Sequence, residues 1–417
     1  MDTITQIIQT IFNLGASAIL PIVIALLGIF FRMKVGEAIR SGLMVGVGFI
    51  GLTLVVQLLS KSLEPAVTHY ADLGSGYTII DVGWPAVGAA SWVAPFAALS
   101  IPLGFALNLL LIRFKLTKTM NVDIWNYMHF LIPGALAYFL FDSFWLGLGI
   151  TLAMSVLALF IGDLIAKRWQ EYFGLEGTTC TTVIYSGWGI PIAMAVNKII
   201  DFIPGLNKME VSLETVNKRL GLLGVPIIIG FLVGLLLAVL TGQNLQSTIT
   251  IAMGIAGVMV LMPKVVSVLM EGLSPIGKAA KEFMTKRMGS NSELNIGMDI
   301  ALGLGDATTI TTTVVTIPLV ILCALVLPGV QLFPVGLLMS ICYMSVGCTM
   351  ASKGNLLRSI ISTLVFSIIT LYLAAWIAPG ATKMLTSAGV PVSGLGTDVT
   401  FTEIWNLVIY WVYTLGN

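Results

Sequence analysis

IIDVGWPAVGAASWV at residues 79–93 and ELNIGMDIALGLGDATT at residues 293–309 are the two stretches that decide the fold. Both are rich in glycine, partly polar and shorter than the roughly 20 apolar residues that a spanning helix needs. Irregular backbone of this kind is tolerated at membrane depth only where it is buried in protein or lines a wet cavity. The pair therefore predicts two re-entrant hairpins, whose helix N-termini present free N–H groups to a ligand.

The composition sets the class of protein around these two stretches. Of 417 residues, 57% are apolar and only 10% are charged, whereas soluble proteins have about 45–50% and about 25%. A soluble enzyme and a disordered chain are excluded. The net charge of +1 comes with no long basic run, so nucleic-acid binding has no electrostatic footprint. The four cysteines form no C-x-x-C pair, and no P-loop motif occurs. The sequence predicts an all-α polytopic membrane protein.

Apolar runs predict ten transmembrane helices, and a shorter C-terminal run is a possible eleventh. The runs are 14–31, 41–60, 95–112, 126–141, 144–165, 221–240, 247–270, 312–329, 333–350, 359–378 and the shorter 404–415. Placing the Lys and Arg residues of the short loops in the cytoplasm is self-consistent with this set of spans. The stretch TTCTTVIYSGWGIPIAMAV at 178–196 then begins and ends inside. We expect it to dip into the membrane without crossing, or to lie in protein.

The two halves of the chain resemble each other. VVQLLSKSLEP at 55–65 and VVSVLMEGLSP at 265–275 share five of eleven positions. The loop charges orient these two spans in opposite directions, which predicts inverted repeats with a substrate site near the membrane midplane. The expected organisation is a first repeat at 1–200, a cytoplasmic connection at 201–220, a second repeat at 221–378, and a C-terminal loop and last helix at 379–417.

Polar residues at membrane depth are the candidates for substrate binding, because a charge at the bilayer centre costs about 2.5–3.5 kcal/mol. Carboxylates, amides and imidazole form hydrogen bonds with hydroxyl groups, and indole rings can lie against the C–H face of a sugar. This chemistry suits an uncharged, polyhydroxylated substrate, although each Trp could equally be an interface anchor. No catalytic residue, metal site or cofactor is predicted. The predicted substrate-binding residues are Asp81, Trp84, Trp125, Asn126, His129, Glu271, Asp299 and Asp306.

LTKTMNVDIWNYMHF at 116–130 and GTTCTTVIYSGWGIP at 177–191, with the repeat and the two glycine-rich stretches, resemble a known family. Over essentially the whole chain, the sequence resembles the galactitol-specific IIC components of the bacterial phosphotransferase system. The ascorbate-specific IIC proteins are more distant relatives. The resemblance implies a homodimer in the bacterial inner membrane, each subunit with a scaffold domain and a sugar-holding core domain. Motion of the core against the scaffold would carry galactitol, or a similar polyol, inward by alternating access.

The resemblance also implies cytoplasmic partners. A IIB protein, phosphorylated on its own cysteine by IIA, would phosphorylate the sugar, with phosphoenolpyruvate as the ultimate donor. This chain is then the transport subunit of a phosphotransferase complex and carries no phosphoryl group itself. Phosphorylation adds about 1.5–2 negative charges, so the product does not easily return through apolar walls. The basic loops 32–40, 113–123 and 277–292 are expected to form the docking face, unless their charge serves topology alone.

Two other interpretations stay open at this stage. In an ion-coupled secondary transporter with the same inverted repeats, Asp81 and Asp299 would bind Na⁺ or H⁺ and not the polyol. An ascorbate-type IIC protein would share the architecture and differ in its substrate. A membrane-embedded enzyme is disfavoured, because the sequence contains neither HExxH nor a nucleophile elbow.

Overall fold

The structure is a computed structural model that describes most of the chain. The described residues are 16–72, 78–121, 123, 125–220, 225–288, 294–330, 332–389, 398–401 and 403–416. Some side chains within these ranges, including those of Trp84 and Trp125, are outside the described part.

Helices account for most of the described residues. In chain order they are α1 (Ala16–Phe30), α2 (Val35–Asp72), α3 (Gly83–Ser91), α4 (Ala97–Arg113), α5 (Trp125–Phe141), α6 (Phe144–Phe173), α7 (Val183–Asp201), α8 (Leu213–Leu220), α9 (Pro226–Leu240), α10 (Leu245–Met288), α11 (Ala307–Val326), α12 (Val335–Ala351), α13 (Leu356–Ser387) and α14 (Asn406–Gly416). Short 3-10 helices cover Leu206–Lys208 and Ile300–Gly305.

The helices confirm a polytopic helical membrane protein. Among the described residues, five helices are long and apolar enough to cross a membrane: Phe144–Phe173, Val183–Asp201, Leu245–Met262, Ala307–Val326 and Leu356–Ser387. Shorter apolar helices cover Leu99–Arg113, Ile227–Val239 and Ser340–Ala351. Each apolar run in the sequence coincides at least in part with a helix, because a helix satisfies all its backbone groups within one segment.

The stretch 178–196 consists of a short strand and most of a long helix. Its first three residues form a strand, and the helix α7 that follows has 19 residues. That length is sufficient to cross a bilayer, and half of its apolar window is buried inside the protein. The first four N–H groups and the last four C=O groups of such a helix have no partner within the helix. The strand before α7 joins the start of this helix to the protein interior.

Six short strands among the described residues, which the sequence analysis did not predict, form two small parallel sheets. The strands are β1 (Ile79–Asp81), β2 (Thr119–Asn121), β3 (Thr178–Cys180), β4 (Asn295–Met298), β5 (Leu332–Phe333) and β6 (Asp398–Thr400). The first sheet has the order β5-β1-β6, and the second has the order β2-β4-β3. In each sheet, the glycine-rich stretch supplies the central strand and the other half of the chain supplies both edge strands. Strand pairing thus satisfies backbone groups that lie outside helices.

Close packing holds the second sheet together. A Cβ atom added at Gly297 would lie 2.6 Å from the Thr181 methyl group and 3.1 Å from the Asn121 Cα. Only glycine therefore allows β4 to lie this close to the chain segments on both sides. The main hydrophobic core continues from this sheet through Ile296 and Met298 into the helices around it.

Candidate functional site

Asp81 ends the central strand of the first sheet and joins that strand to α12. Its side chain is buried, with 2% of its surface exposed. The Gly83 backbone N–H donates to Oδ1 at 3.0 Å, and the Leu337 backbone N–H donates to Oδ2 at 2.7 Å. Leu337 lies in the first turn of α12, where backbone N–H groups have no partner within the helix. The carboxylate therefore caps α12 from the other half of the chain.

Asp299 occupies the matching place at the end of the central strand of the second sheet. Its Oδ1 accepts from the Ala301 backbone N–H at 2.6 Å. The Thr182 hydroxyl lies 3.3 Å from Asp299 Oδ2 and 2.9 Å from Asn126 Oδ1, and it can donate its one proton to either. Thr182 Oγ1 also accepts from the Ile300 backbone N–H at 2.9 Å. Asp299 is thus tied to the start of α7 in the first half of the chain.

The two aspartates have similar surroundings in the structure. Asp81 is the last residue of β1 and Asp299 comes directly after β4, and each accepts a hydrogen bond from the backbone N–H two residues further along the chain. Asp81 accepts a second hydrogen bond from the Leu337 N–H, and Asp299 can accept one from the Thr182 hydroxyl. Lone pairs remain on both carboxylates for a ligand hydroxyl.

Asn126 and His129 lie on the same buried part of α5. The Asn126 amide donates to Thr181 Oγ1 at 2.8 Å, and its carbonyl oxygen faces Thr182. The His129 ring lies 6.3 Å from the Tyr185 ring, in an edge-to-face arrangement. Within the described part of the chain, His129 Nδ1 has no hydrogen-bond partner. The structure thus brings Asn126, His129 and Asp299 together around the beginning of α7.

Helix α12 connects this cluster with Asp81. Tyr343 stacks on Tyr185 with ring centroids 5.6 Å apart, and both tyrosines lie within electrostatic reach of Asp299. From Leu337, which Asp81 caps, to Tyr343 is six residues, a rise of about 9 Å along a helix. The two carboxylates therefore approach the same short segment of α12 from its two ends.

Asp306 has a structural role at the start of α11. Its side chain caps the helix, with Oδ2 accepting from the Thr309 backbone N–H at 2.7 Å and from the Thr309 hydroxyl at 2.9 Å. The Tyr172 hydroxyl also donates to this oxygen at 3.2 Å. If Asp306 binds substrate as predicted, its carboxylate would do so while it also caps α11.

Three further predicted residues are not brought into the cluster by the contacts described. Glu271 lies on α10 with an exposed side chain. Trp84 is the second residue of α3 and Trp125 is the first residue of α5, but both side chains lie outside the described part of the structure. The predictions for these three residues remain predictions.

The sequence analysis missed Glu403 and Asn406, which are both buried. A signal for them exists in the sequence. Residues 403–406 read EIWN, and residues 123–126 read DIWN. Each tetrapeptide follows a short strand and leads into a helix. A comparison between non-corresponding parts of the two halves would have found this match, whereas an alignment of corresponding positions could not.

The chemical character of the cluster is that of a hydrogen-bonding site without cationic side chains among its members. Carboxylates, an amide, an imidazole and tyrosine rings are brought together at low exposure. Cys180, Cys342 and Cys348 are buried thiols, which suits packing better than phosphoryl chemistry. Among the residues that the structure describes, no group of three His, Cys, Asp or Glu side chains could hold a metal ion.

Comparison with known proteins gives the following relatives. The family model for the sugar-specific permease component of the PTS system, EIIC-GAT, matches residues 10–394. The galactitol-specific EIIC component of the PTS system of Escherichia coli K12 is 33% identical over 393 residues, covering 94% of this chain and 86% of the relative. A putative permease IIC component of the same organism is 31% identical over 401 residues, covering 95% of this chain and 91% of the relative.

Proposed function

Because the chain belongs to the family of sugar-specific permease components of the phosphotransferase system, we propose that its substrate is galactitol or a similar polyol. The protein is a sugar-translocating IIC subunit in the bacterial inner membrane, and IIB and IIA proteins are its partners. Its polyol would be carried inward by alternating access and phosphorylated by IIB. The name of the relative that is 33% identical supports galactitol as the first substrate to test.

The observation that carries this proposal is the pair of buried aspartate turns joined by α12. An uncharged polyol offers several hydroxyl donors, which the carboxylates of Asp81 and Asp299 can accept. Asn126 and His129 add groups that can both donate and accept. Of the other predicted residues, Asp306 would contribute from the start of α11, and Trp84, Trp125 and Glu271 are kept as proposed contacts.

The proposed architecture consists of two inverted repeats with ten or eleven membrane spans and two re-entrant hairpins. The order of elements supports a repeat, since α1 to α7 with β1 to β3 have counterparts in α9 to α14 with β4 to β6, the 3-10 helix Ile300–Gly305 standing in the place of α3. This order favours a second repeat that extends from 221 beyond 378 to include α14, with 201–220 as the connection after the first repeat at 1–200. The proposed hairpins are 79–93 and 293–309, each a short strand followed by a short helix.

A scaffold and a core domain are supported by how the helices pack. The long helices α2 and α10 pack along each other, with α1 on α2 and α9 on α10. The two sheets pack with α5, α7 and the helices α11 to α13, and this group carries the proposed site. We propose the first group as the scaffold at the axis of a homodimer and the second group as the moving core.

The test of the proposed function is reconstitution. Purified protein in liposomes should accumulate galactitol as its phosphate only when IIB, IIA and a phosphoenolpyruvate-driven phosphoryl supply are present on the cytoplasmic side. Uptake that instead follows a Na⁺ or H⁺ gradient without these partners would support the ion-coupled alternative. Mannitol, sorbitol and ascorbate in parallel assays would identify the substrate.

Reversing the charge of Lys278, Lys281 and Lys286 together should slow phosphorylation more than it weakens sugar binding. The sequence predicted a docking loop for the IIB protein at 277–292, and the structure places these three lysines in the last turns of α10. Electrostatic complementarity acts mainly on the rate of association. The phosphorylation rate should be measured as a function of IIB concentration, and galactitol binding should be measured separately. Lys61→Glu, an exposed charge on the predicted outer side, is the control. Equal loss of binding and phosphorylation would argue against a docking role.

A further inference from the structure

Several buried polar atoms near α7 have no hydrogen-bond partner in the described part of the chain. They are both carboxylate oxygens of Glu403, both amide atoms of Asn406, Nδ1 of His129 and Nε1 of Trp188. Glu403 is 3% exposed and Asn406 is fully buried. Buried polar groups in folded proteins are nearly all hydrogen-bonded, and leaving one unpaired costs about 1–3 kcal/mol. Several unpaired polar groups close together therefore indicate a binding site for a polar ligand.

Three of these residues, His129, Trp188 and Glu403, lie around Tyr185. The His129 ring is 6.3 Å from the Tyr185 ring, and the Glu403 carboxylate lies within electrostatic reach of the Tyr185 hydroxyl. Trp188 is three residues further along α7, on the same face of the helix. Its ring lies 5.3 Å from the Trp405 ring. Asp299 also lies within electrostatic reach of Tyr185. Side chains from both halves of the chain thus surround Tyr185.

The segment that carries Glu403 is held firmly against α7. Trp405 Nε1 donates to the Val183 backbone carbonyl at 3.0 Å. The Asn406 backbone N–H donates to the Glu403 carbonyl at 3.3 Å. A Cβ atom added at Gly187 would lie 2.7 Å from the Trp405 ring, so the indole packs directly on the helix. Glu403 and Asn406 are therefore presented by a fixed backbone.

The related tetrapeptide DIWN at 123–126 contains an asparagine whose amide is paired. Asn126 donates to Thr181 Oγ1 at 2.8 Å and lies 2.9 Å from the Thr182 hydroxyl. Asn406 has the same position in EIWN, at the start of α14, yet neither atom of its amide has a hydrogen-bond partner among the described residues. The second copy thus keeps its hydrogen-bonding capacity open.

Glu403 also differs from the carboxylates with structural roles. Asp81, Asp299 and Asp306 all accept hydrogen bonds from backbone N–H groups that they cap. The Trp405 backbone N–H lies near the Glu403 carboxylate, but the two make no hydrogen bond of ordinary geometry. Both carboxylate oxygens therefore keep acceptor capacity for a ligand.

We propose that Glu403 and Asn406 bind hydroxyl groups of the translocated polyol, next to Tyr185 and Trp188. A carboxylate accepts from two adjacent hydroxyls, an amide both donates and accepts, and an indole N–H donates to a hydroxyl oxygen. The aromatic rings offer an apolar surface to the C–H groups of the same molecule. This inference rests on the proposed function and adds two substrate contacts to it.

The experiment compares Glu403→Gln with the wild-type protein, using the detergent-purified full-length chain and galactitol as the probe. The dissociation constant should rise by about tenfold or more, because hydrogen bonds to a charged group are the stronger ones. The melting temperature without sugar should stay the same or rise, since the substitution removes a buried charge that lacks partners. Glu171→Gln, an exposed glutamate, should change neither quantity.

Asn406→Ala gives an independent measurement and should also weaken galactitol binding. Unchanged affinity in Glu403→Gln and Asn406→Ala would overturn the inference. A lower melting temperature or failure to fold in Glu403→Gln would overturn it too, because it would assign the carboxylate to the fold. The proposed function is tested on the wild-type protein alone, by phosphoenolpyruvate-dependent galactitol uptake. If the wild-type protein takes up galactitol and both variants bind it normally, the inference about Glu403 and Asn406 fails while the proposed function stands.

Discussion

Gly336→Ala should lower the melting temperature strongly and abolish transport. A Cβ atom at this position would overlap the Gly83 Cα and would lie 2.5 Å from Asp81 Oδ1 and 2.7 Å from the Gly83 nitrogen. Two of these three contacts are with backbone atoms, which cannot rotate away. Overpacking costs about 1–3 kcal/mol. Moving α12 outward would also break the hydrogen bond from Leu337 to Asp81, and bonds of this charged kind are worth about 1.5–3 kcal/mol.

The measurement is thermal unfolding of the purified protein in detergent, together with galactitol uptake. Gly149→Ala is the matched control, because Gly149 is exposed on α6 and its added Cβ would meet nothing within 4 Å. That control should be neutral or stabilising by up to about 1 kcal/mol, the usual gain from alanine in a helix. If Gly336→Ala melts at the same temperature as the control, the close packing of α12 against Asp81 and Gly83 is contradicted.

Asp299→Asn should weaken galactitol binding by about tenfold to a hundredfold, since a charged hydrogen bond is worth about 1.5–3 kcal/mol and 1.4 kcal/mol corresponds to tenfold. The fold should be preserved. The asparagine Oδ1 can still accept from the Ala301 N–H, and the new amide can donate to Thr182 Oγ1, which lies 3.3 Å away. The change therefore removes the charge and keeps the turn at the end of β4.

Equilibrium binding and thermal unfolding should be measured on the same preparation. Asp142→Asn serves as the control, because it makes the same chemical change at an exposed site. Asp142 has a φ of 51°, a backbone conformation that asparagine also tolerates. Wild-type affinity in Asp299→Asn would remove Asp299 from the binding site. A parallel loss of stability would instead assign it to the turn alone.

The hairpin stretches illustrate how far the sequence predicts the site. Glycine-rich, half-polar segments of 15 and 17 residues stand out against apolar runs, because hydropathy and turn-forming residues are local properties. Asp81, Asn126, His129 and Asp299 were predicted in this way, because charged and polar groups are rare at membrane depth. Their hydrogen-bond partners could not be found. Leu337, for example, lies 256 residues from Asp81.

Glu403 shows the opposite case. It lies in a short segment before the last helix. EIWN repeats the DIWN of residues 123–126, but the hydropathy around Glu403 does not distinguish it from a residue in a solvated loop. Its burial depends on Trp405, whose indole bonds to a carbonyl 222 residues away on α7. Burial of a side chain is a property of the packed molecule, and composition or periodicity around one residue does not contain it.

The sequence by itself determined that this chain is a helical membrane protein of the phosphotransferase IIC family, where its helices lie, and which two stretches interrupt them. These features follow from the free energy of placing each segment in lipid, which is nearly independent of the other segments. Only the tertiary structure decided that each interrupted stretch forms a strand between two strands of the other half. Strands of two to four residues have no periodicity of their own, and their backbone groups find partners only when distant segments are brought together.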